Sequence, residues 1–455
     1  MQSLDAFAQL YAKETHGDLT NLTFCGGEFD SRRIVAGQIF FAFLGEHVDG
    51  HDFLQQARNN GAVAAVVSRA CAVDIPQLVV EDVQSCFIDS ASRIRSTWQQ
   101  KTVIAITGSM GKTSSKDLLA NVCGAHQETF STPGNYNNLL GLSWCIHNTP
   151  MSARYVILEL GISEVGEMQR LAALAQPDIA WVTTIAPCHL DGLTSCEIIA
   201  REKSQIYRSL GSNGLAVIND RDDFVETFLQ HSQHCRQLHL YAGMSSLDDA
   251  SIRYDALARC RFSAQIGDES LSLQLGLVGK HQVYNAYAVG VIAHAMGIPM
   301  TLIKDGLETQ KTTSGRAKAY VLPMVKSLLI DDSYNANPKA MLSAIESLSS
   351  VDKPVKCLVF GDMSELGSVS DKWHRRVGDW ASEYGIDHLL TYGVHAQLAL
   401  QSFCGDGMAF SDQDALIDHL RVIMSEDMVV LVKGSRGCSL DLTIRSLLGT
   451  AMNEG

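Results

Sequence analysis

Residues 103–116 constrain the fold most, because they place an apolar stretch, a glycine-rich turn and a helical pattern in direct succession. Residues 103–106 are apolar and mostly β-branched, which predicts a short buried strand. Gly108 and Gly111 bracket the turn, and helical periodicity begins at Lys112. Such a turn cradles phosphate, since backbone N–H groups and the positive end of the helix face the anion.

This turn is therefore predicted to bind a nucleotide phosphate through Gly108, Ser109, Met110, Gly111, Lys112, Thr113 and Ser114. The Lys112 ammonium would reach the terminal phosphates, and the Thr113 hydroxyl would ligate magnesium. The general phosphate-loop pattern has a glycine six residues before the lysine, where this chain has Ile106. The match is incomplete, so the rest of the chain has to distinguish nucleotide binding from phosphoryl transfer.

The chain length predicts about three domains, because 455 residues exceed what a single hydrophobic core supports. Strands and helices alternate from residue 101, and the alternation restarts after the polar stretch 311–318. This pattern is typical of doubly wound parallel sheets. It predicts α/β domains at 1–100, 101–312 and 313–455. Within them we expect, among other elements, helices at 164–175, 195–209 and 338–349, and strands at 155–160 and 179–185.

Charge and composition exclude several classes of protein. The net charge of −14 argues against a large nucleic-acid interface. No apolar run approaches the length of a membrane span, and residues 1–16 lack the apolar core of a signal peptide. We therefore expect a cytoplasmic protein without membrane insertion. The 12 cysteines are scattered and form no Cys-x-x-Cys pair, which predicts reduced, structural thiols.

Three ionisable residues follow or accompany predicted strands of the second domain. Glu159 ends a buried strand, where a carboxylate is costly unless it is paired or metal-bound, and its position favours a magnesium role. His189 follows another strand, and its spacing leaves a metal ligand and a structural histidine equally open. Lys203 lies in a predicted helix, and its spacing alone predicts an exposed side chain.

Other polar positions keep two interpretations each. The turn 132–138 carries Asn135, Asn137 and Asn138, which would hold a substrate or cap the turn. Ser31 and Arg32 favour a polar turn over an anion site. His281 and Asn285 lie four residues apart on one helix face and would serve either as surface and capping groups or as contacts to adenine or phosphate.

The third domain has three polar loops at predicted strand ends, in residues 331–338, 361–367 and 433–437. Ligands of open α/β sheets bind beyond the carboxyl ends of the strands. Three such loops in one domain therefore predict a binding face directed towards the central domain.

Together these motifs resemble those of the Mur ligases of peptidoglycan synthesis. The resemblance rests on residues 107–113, 132–138, 159–161, 189–192, 315–316 and 331–338, and it covers nearly the whole chain. The motifs at 331–338 and 361–367 are most similar to those of the family members that join D-alanyl-D-alanine to UDP-N-acetylmuramoyl-tripeptide.

The resemblance implies a small α/β domain that binds the UDP-sugar, a central P-loop ATPase-like domain and a C-terminal Rossmann-like domain that binds the incoming D-Ala-D-Ala. The implied enzyme is an ATP-dependent amide ligase that proceeds through an acyl phosphate, in the last cytoplasmic step towards the UDP-MurNAc-pentapeptide. It would use ATP and two Mg²⁺ ions and act as a monomer. Whether the third peptide residue is diaminopimelate or lysine stays open.

The resemblance also implies roles for individual residues. Lys112, His189 and Lys203 would be catalytic, and the metals would be held by Thr113, Glu159, His189 and a carbamylated Lys203. Besides the phosphate loop, ATP would contact His281, Asn285, Arg316 and Asp332. The substrates would contact Ser31, Arg32, Asn135, Asn137, Asn138, Asn335, Lys433, Ser435 and Arg436. The family's usual Gly-Glu after the modified lysine is replaced by Ser204-Gln205 here.

Two alternatives remain from the sequence. One is a sister ligase that adds a single amino acid, and the other is a nucleotide-binding switch without ligase chemistry. Glu159, His189 and the elaborate third domain argue against a switch, which needs no second substrate face.

Overall fold

The computed structural model describes residues 2–310, 314–322 and 325–449, which fall into two units. The first unit comprises the described residues up to Ala105, with Gln127–Ile162 and Met168–Ile179. The second comprises Ile106–His126, Ser163–Glu167 and the described residues from Ala180 onward. The boundary predicted between residues 312 and 313 lies outside the described residues, as does the start of the predicted linker.

A five-stranded sheet forms the core of the first unit. Its strand order is Glu14–His16, Gln77–Val79, Ala64–Val67, Ile39–Phe41 and Gly27–Glu28. The first pair is antiparallel and the other pairs are parallel. Two of the three inner strands, Ala64–Val67 and Ile39–Phe41, are fully buried, as expected where apolar side chains cover both faces of the sheet.

The remaining elements of the first unit are short strands, helices and 3₁₀ turns. Short strands Gln2–Ser3 and Thr23–Phe24 pair antiparallel, and Thr129–Ser131 pairs parallel with Tyr155–Glu159. The helices are Leu4–Tyr11, Leu54–Asn59, Val83–Ser96, Leu139–Asn148 and Glu167–Ala175, and the 3₁₀ turns are Ser31–Arg33 and Gly50–Phe53.

The central sheet has six strands and carries the phosphate loop at one strand end. Its order is Arg236–His239, Leu215–Ile218, Ile179–Val182, Thr102–Thr107, Tyr155–Glu159 and Thr129–Ser131. Residues 103–106 are completely buried, as expected for an inner strand of a doubly wound sheet. The associated helices of the second unit are Lys112–His126, Leu190–Leu193, Cys196–Lys203, Gln205–Arg208, Val225–Ser232, Lys280–Ala295 and Met300–Glu308.

Three predicted elements of this region differ from the structure by more than one residue. The strand predicted at 179–185 ends at Val182. The helix predicted at 164–175 begins at Glu167. The helix predicted at 195–209 is divided at Ser204, whose hydroxyl bonds to the Arg201 carbonyl oxygen at 3.1 Å and lies 2.8 Å from His231 Nδ1. Serine side chains compete with backbone groups in this way, which explains the break.

An antiparallel sheet that the sequence analysis missed precedes helix Lys280–Ala295. It consists of Ser246–Tyr254, Arg259–Ile266 and Glu269–Val278 in that order. The third strand places Leu271, Leu273, Leu275 and Leu277 at every second position, and three of these leucines are fully buried. This period of two is the signal of a half-buried strand.

The C-terminal domain is a second six-stranded sheet with helices on both faces. Its strand order is Lys318–Val321, Leu328–Asp331, Met428–Lys433, Val355–Gly361, His388–Tyr392 and Asp406–Phe410. The first pair is antiparallel and the others are parallel. The helices are Pro338–Ser349, Ser370–Glu383, Gln413–Ile423 and Asp441–Leu448, and the first has its predicted bounds. The 3₁₀ turns are Gly367–Val369, Ala396–Gln401 and Arg436–Cys438.

None of the helices in the described part of the chain has the length and hydropathy that a membrane crossing requires.

Candidate functional site

The phosphate loop is held in place by the segment that follows strand Ile179–Val182. The Ser109 hydroxyl donates to the Ala186 carbonyl oxygen at 2.9 Å, and the Thr183 hydroxyl donates to the Met110 carbonyl oxygen at 2.5 Å. A Cβ atom at Gly108 would lie 1.9 Å from the Thr183 hydroxyl oxygen. Only glycine fits there, so the close approach of the loop to Thr183 requires Gly108.

Helix Lys280–Ala295 approaches the loop from another side. Gly111 has φ +76°, and a Cβ atom there would lie 2.9 Å from Asn285 Oδ1. Gln282 Nε2 donates to the Ser114 hydroxyl at 3.3 Å. The structure thus brings the predicted residue Asn285 against the predicted loop, and the absence of a side chain at Gly111 leaves its backbone accessible to an anion.

Lys112 and Thr113 occupy the first turn of helix Lys112–His126. The Lys112 ammonium donates to the Gly108 carbonyl oxygen at 2.6 Å, so the side chain folds back over the loop. The Thr113 side chain is buried at the helix start. An ammonium and a hydroxyl at this position suit the charge and oxygen chemistry of a polyphosphate.

His189, Lys203 and Lys112 are close enough to influence one another electrostatically. Burial is the main cause that lowers the pKa of His189, the charges of Lys203 and Lys112 lower it further, and Glu365 opposes them. Glu365 Oε2 lies 2.5 Å from His189 Nδ1. The three residues that the family resemblance made catalytic therefore belong to one electrostatic neighbourhood.

Lys203 is completely buried, so the exposed side chain predicted from spacing is wrong. Lys203 lies one turn after Ile199 on helix Cys196–Lys203, and both stand on the buried face of that helix. A buried ammonium is costly and requires compensation by its surroundings. The environment of Lys203 is thus the kind in which lysine chemistry is altered.

The C-terminal domain contributes a second group of predicted residues. Lys433 Nζ lies 2.6 Å from Asp332 Oδ2 and donates to the Asn335 carbonyl oxygen at 2.9 Å. The buried Ser435 hydroxyl accepts the Ser364 N–H at 2.8 Å. Burial lowers the pKa of His281, the Asp332 charge raises it and the Lys433 charge lowers it, so these groups are neighbours.

Arg316 and Arg436 both contact the ring of Tyr334. Their guanidinium carbons lie 4.2 Å and 5.8 Å from the ring centre. Tyr334 carried no role in the sequence analysis, because a tyrosine in a polar loop has no spacing signal of its own. The sequence predicted the loop but not this contact.

In the first unit, Glu159 and the asparagine-rich turn form a separate polar group. Glu159 is 2% exposed and accepts a hydrogen bond from Asn137 Nδ2 at 2.9 Å. Asn138 caps helix Leu139–Asn148 by accepting the Gly141 N–H at 2.8 Å, whereas Asn135 is exposed. Capping therefore describes Asn138, and the substrate roles of all three asparagines stay predictions.

The Ser31–Arg33 turn shows the local geometry of the polar turn favoured by its sequence. The Ser31 hydroxyl donates to Gln56 Oε1 at 2.6 Å, and Arg32 pairs with Asp30 at 2.8 Å. The anion-binding roles of Ser31 and Arg32 stay predictions.

A buried carboxylate near this turn was missed by the sequence analysis. Glu28 is 1% exposed and accepts hydrogen bonds from the N–H groups of Phe29 and Asp30 and from Trp144 Nε1. Arg33 lies over the rings of Tyr136 and Trp144, with its guanidinium carbon 5.1 Å and 5.4 Å from their centres. The cluster joins residues that are far apart in the chain, so no local sequence pattern indicates it.

Comparison with known proteins identifies the family that shares these features. Three family models match: "Mur ligase family, catalytic domain" at residues 26–96, "Mur ligase middle domain" at 106–293 and "Mur ligase, glutamate ligase domain" at 321–436. The chain is 34% identical over 422 residues to the UDP-N-acetylmuramoyl-tripeptide–D-alanyl-D-alanine ligase of Escherichia coli, covering 92% of each chain.

Solved structures show the same likeness. MurF from Acinetobacter baumannii superimposes with a TM-score of 0.84 at 30% identity and 93% coverage of each chain. MurF ligase from Thermotoga maritima in complex with ADP gives a TM-score of 0.79 at 25% identity, covering 94% of this chain and 98% of that one. The similarity thus extends over 93% and 98% of the two solved chains.

Proposed function

The chain belongs to the Mur ligase family, and from this premise we propose that it joins D-alanyl-D-alanine to UDP-N-acetylmuramoyl-tripeptide in an ATP-dependent reaction. The observation that carries the proposal is the likeness to the E. coli ligase of that name over 92% of each chain, together with the phosphate loop. Relatives of this kind support the dipeptide as acceptor rather than the single amino acid of a sister ligase.

The chemistry requires activation of a carboxylate, which is a poor electrophile. An oxygen of the terminal tripeptide carboxylate attacks the γ-phosphorus of ATP, and ADP leaves. The uncharged amine of the dipeptide then attacks the acyl carbon. The tetrahedral intermediate expels inorganic phosphate, and the nitrogen loses a proton as the amide forms.

Individual residues fit the first half of this reaction. Backbone N–H groups of the phosphate loop would bind the phosphates of ATP, with Gly111 open to them and Asn285 beside them. The Lys112 ammonium would leave the Gly108 carbonyl oxygen and neutralise charge on the transferring phosphoryl group. His281, Arg316 and Asp332 are proposed ATP contacts from their family positions.

We propose that the Thr113 hydroxyl and the nucleotide phosphates hold Mg²⁺, because Mg²⁺ takes oxygen ligands and relies on substrate phosphates more than on protein cages. The buried hydroxyl at the helix start fits this requirement. Among the described residues no three His, Cys, Asp or Glu side chains form a metal cluster, so phosphate oxygens would have to supply much of the coordination. Bound Mg²⁺ would supply neutralisation of phosphate charge.

The family resemblance supports further proposed metal ligands and substrate contacts. Glu159 is a proposed metal ligand in the first unit. His189 and a carbamylated Lys203 are proposed for a second metal, since carbamylation turns the buried cation into a carboxylate. The residues proposed to contact the substrates are Ser31, Arg32, Asn135, Asn137, Asn138, Asn335, Lys433, Ser435 and Arg436. We also propose that the protein is a cytoplasmic monomer.

The test is product analysis. The full-length protein is incubated with Mg-ATP, UDP-N-acetylmuramoyl-tripeptide and D-Ala-D-Ala, and the nucleotide sugars are separated and weighed by mass spectrometry. The proposal predicts a product heavier than the tripeptide by one dipeptide less one water, with equimolar ADP. An unchanged tripeptide would overturn the proposal.

A further inference from the structure

Tyr334 lies against two arginines that are far apart in the chain. The guanidinium carbon of Arg316 is 4.2 Å from the centre of its ring, and that of Arg436 is 5.8 Å away. We infer that Tyr334 is a positioning residue that holds Arg316 and Arg436 as one oxyanion-binding pair. The inference rests on the proposed function, to which it adds how these two side chains are aligned.

The backbone fixes Tyr334 against the segment that carries Arg316. The Tyr334 N–H donates to the Gly315 carbonyl oxygen at 3.0 Å, and the Gly315 N–H donates to Asp331 Oδ2 at 2.7 Å. Gly315 has φ +78°, and a Cβ atom there would lie 3.0 Å from the Tyr334 Cβ atom. The ring and the first arginine are therefore held together by main-chain geometry.

The neighbouring carboxylates Asp331 and Asp332 both have partners other than the two arginines. Asp332 pairs with Lys433, and the buried Asp331 accepts the N–H of Gly315 and the N–H and hydroxyl of Ser333. Within residues 2–310, 314–322 and 325–449, neither Arg316 nor Arg436 forms an ion pair with a carboxylate. The aromatic face compensates part of their charge.

Two guanidinium groups on one aromatic ring suit an oxyanion. Guanidinium binds phosphate and carboxylate oxygens in a planar, bidentate geometry, which requires that its orientation be fixed. In the proposed reaction the oxyanion is either a phosphate of ATP or the carboxylate of the dipeptide. A guanidinium pair recognises phosphate and carboxylate oxygens in the same way. Separate titrations with the nucleotide and with the dipeptide show which of the two the pair binds.

The experiment compares three variants of the full-length protein. Tyr334→Leu removes the ring, Tyr334→Phe keeps the ring and removes the hydroxyl, and Tyr384→Leu is the control. Tyr384 lies in the same domain, and its hydroxyl donates to Glu346 at 2.9 Å. Each variant is made alone and combined with Arg436→Ala. Calorimetric titrations with ADP and with D-Ala-D-Ala give dissociation constants, and turnover gives KM and kcat.

We expect Tyr334→Leu to weaken the affinity for one of the two ligands about tenfold, with a KM that rises in parallel and a kcat that changes less. Tyr334→Phe should stay within about twofold of the wild type. Adding Arg436→Ala to Tyr334→Leu should weaken ligand affinity little further. Adding it to Tyr384→Leu should weaken ligand affinity as much as Arg436→Ala does alone.

Three results would overturn the inference: unchanged affinity for both ligands in Tyr334→Leu, an equal loss in Tyr334→Phe, or full additivity with Arg436→Ala. A wild-type protein that binds a ligand but makes no amide would contradict the proposed function alone. The affinities of the single and double variants would still measure the coupling between Tyr334 and Arg436.

Discussion

Glu365 Oε2 lies 2.5 Å from His189 Nδ1, and the Glu365 carbonyl oxygen accepts the Leu190 N–H at 3.0 Å. The loop 361–367 of the C-terminal domain therefore contacts the segment that carries His189. A carboxylate beside an imidazole nitrogen is a common means by which proteins orient the ring. Sequence patterns placed both loops at strand ends but gave no sign of this contact.

Replacing Glu365 by glutamine should lower kcat about tenfold, because the ring of His189 loses its orienting charge. Steady-state phosphate release measures the effect. Glu383→Gln is the matched control, since Glu383 pairs with Arg376 on a helix of the same domain and should leave kcat unchanged. Equal rates for Glu365→Gln and the wild type would show that the contact has no part in turnover.

Gly111→Ala should weaken nucleotide binding at least tenfold. The added methyl group would meet Asn285 Oδ1 at 2.9 Å, and φ +76° is unfavourable for alanine. Gly124→Ala is the control in the helix that follows this loop, where a Cβ atom meets nothing within 4 Å. It should leave ADP affinity unchanged and raise stability by about 0.5–1 kcal/mol. Calorimetric titration with ADP measures the affinities, and equal affinities for both variants would refute the prediction.

Lys112→Ala should reduce ligation by at least about 10³-fold while the fold persists, because the lysine neutralises phosphoryl charge and is not part of the core. Mass spectrometry of the product tests the loss of ligation, and far-ultraviolet circular dichroism tests whether the fold persists. The exposed Lys372→Ala variant controls for loss of a surface charge. Near-normal turnover of Lys112→Ala would remove the phosphate loop from the mechanism.

His147 should make stability depend on pH. Burial lowers its pKa from 6.5 to about 4, so the unfolded chain binds more protons than the folded one between these values. The stabilisation is complete above pH 6.5 and is lost as the pH falls towards 4. Between pH 7.5 and pH 5 the wild type should lose about 2 kcal/mol more than His147→Gln. Urea unfolding at both pH values measures this difference, and parallel losses in the two proteins would disprove it.

The phosphate loop and helix Pro338–Ser349 were predictable, because glycine spacing, apolar periodicity and a proline at the helix start are local signals. The burial of Lys203 was not, since it depends on which face of a short helix meets the sheet. The antiparallel strands at 246–278 had a visible period of two that the alternation of parallel strands obscured.

Within the candidate site, the sequence identified residue types at strand ends but not their partners. The contacts of Tyr334 with Arg316 and Arg436, and of Glu28 with Trp144, join residues that are not neighbours in the sequence. Tertiary packing determines contacts of this kind, so they are seen only in the three-dimensional structure.

The most direct measurement is phosphate release from Mg-ATP in the presence of UDP-N-acetylmuramoyl-tripeptide, with D-Ala-D-Ala or single amino acids as the acceptor. The proposed function predicts release that requires both the tripeptide and the dipeptide. Release with a single amino acid instead, or release without any acceptor, would contradict it.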